Sequence, residues 1–212
     1  MKKAKKIVAL LLCAVLLIGA SVAGTLAFLT SKATVTNSFT VGKVVLGEDG
    51  KEGLDEAQVD EYGDAVTPAS RVTENTYKLI PGHTYTKDPT VHVGANSEAC
   101  WLFVKVENGI ANIEADTATG EDPYTKIADQ ITTTNGWTKL NSETNVYYKE
   151  AAKTDDNGAD YIVFGNFRLA TNADVSDYAS AKITVTAYAI QKDGLTVAEA
   201  WTALKEAYPD NT

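Results

Sequence analysis

The sequence predicts a mainly β protein: an antiparallel β-sandwich with two short helices, behind an N-terminal signal peptide. Three observations predict it. About seven or eight short runs along the 212-residue chain alternate apolar and polar residues or are continuously apolar, with turn residues between them. Only two segments downstream of the leader carry a strong amphipathic helical pattern. Four lysines in Met1–Lys6 precede the apolar run Ile7–Ala20, which exits into small residues, the layout of a secretory leader.

Residues 1–27 are the expected signal peptide. Thr25 and Ala27 place small side chains at −3 and −1 of a junction that would leave Phe28 as the new N-terminus. Ser21 and Ala23 offer a second junction. The apolar stretch nears the ~20 residues of a spanning helix, but Gly24–Thr30 and the threonine-rich strand behind it favour cleavage, so no stable membrane anchor is expected afterwards. Residues 28–46 form an N-terminal strand segment. Within it Thr34–Val41 alternates, with Val35, Asn37, Phe39 and Val41 on one face and threonines and a serine on the other. Gly42 breaks the strand and Lys43–Leu46 resumes it.

Residues 47–76 read as an acidic loop or insertion. Positions 48–64 hold eight carboxylates and one lysine, expected on a solvated face, with Leu54, Ala57 and Tyr62 hinting at a short helix. Residues 77–212 form the body of the sandwich. Thr76–Ile80 is an expected strand, Pro81-Gly82 a turn, and Thr84–Val93 an extended run that Pro89 breaks or marks as an edge. Cys100–Glu107 is the most apolar strand, with Cys100, Leu102, Val104 and Val106 opposite Trp101 and Phe103. A helix is expected from Asp122, with Pro123 at its first position and Tyr124, Ile127, Ala128 and Ile131 on its apolar face. Val146–Lys149 and Tyr161–Leu169 read as paired strands around a loop containing Asn157-Gly158. Lys182–Ile190 alternates again. The last helix has Thr196 as cap, Glu199 completing a capping box, and Val197, Trp201, Leu204 and Tyr208 on one face.

Charge and cysteine usage narrow the function. Losing residues 1–27 removes four of the 19 Lys and Arg and none of the 28 Asp and Glu, so 15 cations face 28 carboxylates, a net charge of −13. Such a surface repels nucleic acid and anionic lipid. Cys13 leaves with the leader, and Cys100 alone permits no intrachain disulfide. His83 and His92 stand nine residues apart on one extended run, roughly 30 Å at ~3.3 Å per residue, too far to share zinc. Both are expected at a turn or on the surface. Neither a Gly-x-Ser-x-Gly elbow nor a phosphate-cradling glycine loop occurs. Asp155–Asp160 lacks EF-hand spacing and reads as a solvated hairpin loop. No catalytic residue, metal or cofactor is expected, and the chain does not read as an enzyme.

Gly24-Thr25-Leu26-Ala27-Phe28-Leu29-Thr30, followed by Ala33–Phe39 and Val41-Gly42, resembles the export junction and first strand of the TasA/camelysin family. Leu79, Pro81, Gly82 and Lys87 resemble that family's Leu-x-Pro-Gly-x-x-x-x-Lys turn, and Lys182–Ile190 its late strand. The likeness is strong over residues 1–46 and 77–107 and weak over 110–180. It implies secretion by a Gram-positive cell through a SipW-type signal peptidase. It also implies a jelly-roll-like sandwich and a structural role in biofilm matrix fibres or a cell-surface coat. Assembly would follow by donor-strand exchange, with Val35, Phe39 and Val41 filling pockets of the next subunit. Metallopeptidase activity, attributed to some members, finds no residues here. The alternative expectation is a soluble secreted binding module, adhesin-like, using aromatics such as Trp137, Tyr147 and Tyr148 for a glycan or protein partner.

Overall fold

The computed structural model describes residues 43–47, 52–116 and 124–209. The junction residues Thr25, Ala27 and Phe28, the strand residues Val35, Phe39 and Val41, and the expected helix start Asp122-Pro123 lie outside the described residues.

The chain is mainly β, as expected, and its sheets are antiparallel. β1 (Leu54–Ala57), β2 (Arg71–Val72), β4 (Thr90–Val93) and β8 (Ala159–Ile162) form one sheet in the order β2-β1-β4-β8. β5 (Cys100–Asn108), β6 (Thr138–Lys139), β7 (Val146–Ala151) and β10 (Ile183–Gln191) form the second, in the order β10-β5-β7-β6. β3 (Thr84–Thr86) and β9 (Asn166–Arg168) pair separately. Leu46 bridges Val93, so Val45–Gly47 lies beside the end of β4.

β5 organises the core. Cys100, Leu102, Val104 and Val106 are buried on one face, in a cluster with Val91, Val93, Tyr147, Phe164, Phe167 and Leu169. Phe103, on the other face, is buried beneath α2 (Val197–Ala207) with Tyr188, Trp201 and Leu204. The two-faced pattern read from the sequence is therefore real, and both faces are covered. α2 starts as expected: the Thr196 side chain accepts from Glu199 N–H, and the Glu199 carboxylate accepts from Thr196 N–H at 2.9 Å. Its exit residue Tyr208 is half exposed.

Several expectations need correction. The 48–64 stretch holds no helix among its described residues; its residues 54–57 are β1, and the following 71–72 are β2, so the expected loop supplies half of a sheet. Thr76–Ile80 is not a strand. It is an extended strap tied by Lys78 N–H to Glu61 O at 2.8 Å and by the Tyr85 hydroxyl, which donates to Lys78 O and accepts from Ile80 N–H. The run Thr84–Val93 does break before Pro89, into β3 and β4.

β7 and β8 do not pair with each other; they belong to different sheets. The connection is pinned midway by buried Thr154, whose hydroxyl accepts from Ser97 N–H at 2.8 Å and donates to Gly94 O at 2.7 Å. Two sheet-to-sheet crossings, 94–99 and 152–158, are thereby stitched together. Gly158, at φ +71°, completes the turn where a Cβ would lie 2.5 Å from Val93 O. Tyr161–Leu169 likewise splits into β8 and β9.

The described part of the middle helix is one turn, α1 (Ile127–Asp129), which widens into a π turn over Gln130–Thr134. Threonine hydroxyls bond back to the carbonyls of the preceding turn, Thr133 to Asp129 O at 2.6 Å. Gly136 at φ +66° follows, and the chain turns away.

Candidate functional site

The first candidate is an edge. β10 pairs with β5 along its whole length, from Ile183 opposite Asn108 to Gln191 opposite Cys100. Just beyond its ends, Gly109 N–H donates to Lys182 O and Lys192 N–H donates to Ala99 O. Hydrogen-bonded pairs alternate in an antiparallel ladder. The even-numbered residues of β10 therefore bond to β5, while Ile183, Val185, Ala187, Ala189 and Gln191 turn N–H and C=O toward the opposite edge. Among the described residues no strand pairs with that edge. The side chains of Ile183, Val185, Ala187 and Ala189 pack on the inter-sheet core yet are only half buried.

A cleft of about 670 Å³ opens at the Ile183 end of this edge. Leu54, Asp55 and Glu56 of β1 line it, as do Ile183, Thr184 and Val185 of β10. Ile110, Phe167, Tyr77, Leu79, Val175 and Tyr178 supply apolar surface. The sandwich interior is thus reachable between β1 and β10.

The second candidate is a charge cluster that sequence reading placed on the solvated surface. Asp55 is buried, and its Oδ1 accepts from Arg71 Nε at 2.5 Å and faces His92 Nε2 at 2.7 Å. His92, expected at the surface, is also buried, and its Nδ1 faces Asp160 Oδ1 at 2.6 Å. His92 and Asp160 are direct cross-strand partners. The His92 ring is thus held between two carboxylates, one at each ring nitrogen. Arg71 also donates to Asp88 Oδ2 at 3.0 Å, and Asp88 Oδ1 accepts Ala57 N–H at 2.7 Å. The cluster joins β2, β1, β4 and β8 across one sheet. Both ring nitrogens of His92 are engaged within the cluster, and the arrangement acts as a strut.

On the opposite face of β1, Glu56 meets Lys87 Nζ at 2.5 Å, and both are buried. Lys87 follows the Pro81-Gly82 turn, and β1 supplies the buried carboxylate that pairs with it. Burial, then the nearby Glu56 charge, pushes the Tyr77 hydroxyl far above its ordinary range. Burial also pushes the lone Cys100 thiol up to about 11, which makes it a packing residue at neutral pH. His83 caps the turn instead, with Nε2 2.8 Å from Tyr62 O.

The aromatics considered for ligand contact are mostly core. Trp137 is buried and donates Nε1–H to Ile162 O at 2.8 Å; Tyr147 is buried; Tyr148 is half buried beside Trp101. Trp137 and Tyr147 belong to the same core cluster as Leu102, Val104 and Phe164. Among the described residues, no group of three or more His, Cys, Asp or Glu is arranged to hold a metal ion, and no helix is long and apolar enough to cross a membrane. No protein-family model, no curated protein and no solved structure matches this chain.

Proposed function

We propose that the protein is an exported structural component of a cell surface or biofilm matrix. Subunits join when Thr34–Val41 of one copy adds to the β10 edge of the next. One observation carries this reading: a nine-residue strand has its second edge unpaired among the described residues, with a half-open apolar lane behind it. The dimensions agree. Eight residues span roughly 26 Å and β10 roughly 30 Å at ~3.3 Å per residue. A strand laid there would meet a row of outward N–H and C=O groups, with Val35, Phe39 and Val41, on one face with Asn37, turned toward the lane. The acidic mature chain suits an extracellular surface and disfavours nucleic acid as a partner. A signal peptidase of the SipW type would act on the chain during export.

Electron microscopy of the processed protein, with size exclusion over a range of concentrations, tests the reading. Fibres or concentration-dependent oligomers are expected. Phe39→Ala removes the largest anchor, about 3–5 kcal/mol for a buried aromatic and more than about a hundredfold in association. It should abolish polymers while leaving a folded monomer. A chain lacking residues 28–41 should stay compact and bind an added Thr34–Val41 peptide. A wild-type protein that stays monomeric under all concentration, pH and seeding conditions would refute assembly and favour the binding module.

A further inference from the structure

Glu56 does more than neutralise a lysine. Its Oε2 accepts from Lys87 Nζ at 2.5 Å, and its Oε1 accepts from Asn75 Nδ2 at 3.1 Å. One buried carboxylate therefore bridges a primary amine and a carboxamide. The Glu56 and Lys87 side chains are only 5% and 11% exposed, so the site is largely dry. The amide of Asn75 is also held by its other atoms. Its Oδ1 accepts Val59 N–H at 3.1 Å, and its Nδ2 donates to Ala57 O at 2.8 Å. The Tyr77 ring lies beside Nζ, with its centroid 5.9 Å away.

These are the parts of an amide exchange: a nucleophile, an electrophile, a proton carrier and a donor on the carbonyl oxygen. The geometry points to an intramolecular isopeptide bond between Lys87 Nζ and Asn75 Cγ, formed with Glu56 as the proton carrier. Glu56 takes a proton from the Lys87 ammonium, giving the neutral pair that a dry site tolerates. The freed lone pair of Nζ attacks Cγ, and the carbonyl π electrons move onto Oδ1, where Val59 N–H meets the developing charge. Glu56 then returns its proton to Nδ2. The Cγ–Nδ2 bond breaks, and the remaining excess proton of Nζ leaves with the departing nitrogen as ammonium. Glu56 is again a carboxylate, and no oxidant or second substrate is consumed. The adjoining cleft, which Glu56, Asn75 and Lys87 all line, gives the ammonium a way out. The bond would tie the chain just before the extended strap, at Asn75, to the chain between β3 and β4. It concerns the subunit's own wall and stands independently of fibre assembly.

Peptide mapping of the purified, processed wild-type chain decides it. Trypsin should yield Val72–Lys78 joined to Leu79–Lys105, uncut at Lys87, with the pair about 17 Da lighter than its parts because one ammonia is gone. Asn75→Ala and Lys87→Arg should each give separate peptides, and Glu56→Gln should give them too. Asn75→Asp should restore the link with loss of water, about 18 Da, which keeps the test open should Glu56→Gln fail to fold. Separate Val72–Lys78 and Leu79–Lys87 peptides from folded wild type would overturn the inference. A 17 Da deficit that maps instead to a cyclised Asn108-Gly109 or Asn157-Gly158 would overturn it as well.

Discussion

Proline at position 187 separates the two edges of β10. Ala187 is odd-numbered, so its N–H points away from β5 and its loss leaves the β10–β5 ladder intact. Proline is accepted in an edge strand when the missing N–H faces outward. The monomer carrying Ala187→Pro should therefore melt close to wild type. Assembly should suffer. An added strand would bond to the N–H and C=O of Ile183, Val185, Ala187 and Ala189, up to about eight bonds, each worth ~1 kcal/mol net. The ring removes one bond and holds the strand off its neighbours, so two or three bonds are lost. That is on the order of 2–3 kcal/mol, roughly a thirtyfold to 150-fold weaker association. Thr186→Pro is the control: its N–H belongs to the β5 ladder, so losing that bond should destabilise the monomer by ~1–3 kcal/mol. Thermal melts and sedimentation of both variants give the comparison. Equal melting losses in the two variants, or undiminished polymerisation by Ala187→Pro, would show that the outward edge of β10 is not the acceptor.

Three further outcomes are expected. N-terminal sequencing of secreted protein should begin at Phe28, and Ala27→Asp should block processing there; a start at Gly24 would move the junction, and an intact N-terminus would sink soluble export. His92→Ala removes the partner that Asp55 and Asp160 share, and with the His92 and Asp55 side chains about 90% buried it should cost about 1–3 kcal/mol in urea unfolding. Asp160→Asn, at a side chain 62% exposed, should cost under ~1 kcal/mol; equal losses in the two variants would deny that His92 is the centre of the strut. Glu143 accepts from Trp201 Nε1 at 2.8 Å and Lys205 Nζ at 3.1 Å, and these two contacts, the tryptophan first, hold its carboxyl below the ordinary 4.5. A depressed acid stabilises above its ordinary value and loses that contribution as pH falls through the lowered one. Trp201 fluorescence should therefore report α2 loosening in acid below about pH 4.5, and Glu143→Gln should blunt that dependence; identical acid profiles would rule out this contact as the cause.

The parts of the fold with strong local signals were legible. β5 announced both of its faces, α2 its cap and box, and Pro89 its break, because each rests on side-chain periodicity or a single backbone constraint. The charge cluster was not. Asp55 and Glu56 sit in a run of carboxylates that composition alone assigns to water, and their partners come from positions 71, 87 and 92. Pairing at that distance leaves no mark on the local pattern. Alternation in Leu54–Ala57, with one acid per face, was the available signal, and the surrounding acidity hid it. The sheet switch after β7 was equally hidden. Asn157-Gly158 is a sound turn signal, but Thr154 bonds to residues 94 and 97 and sends the chain across to the other sheet.

β5 also dictates an order of events. Its partner β7 follows it closely, whereas β10 comes from near the end of the chain, with Cys100 opposite Gln191. Contacts of such long sequence separation form late, since a large loop must close first. Until then the bare edge belongs to β5, whose Leu102, Phe103 and Val104 are wholly buried in the finished molecule. An unfinished subunit is therefore stickier than a finished one, and with a greasier strand. Any cell making this protein in quantity gains from keeping the chain unfolded until all of it is available, and a variant that slows the arrival of β10 should lose yield to amorphous aggregate before it loses stability.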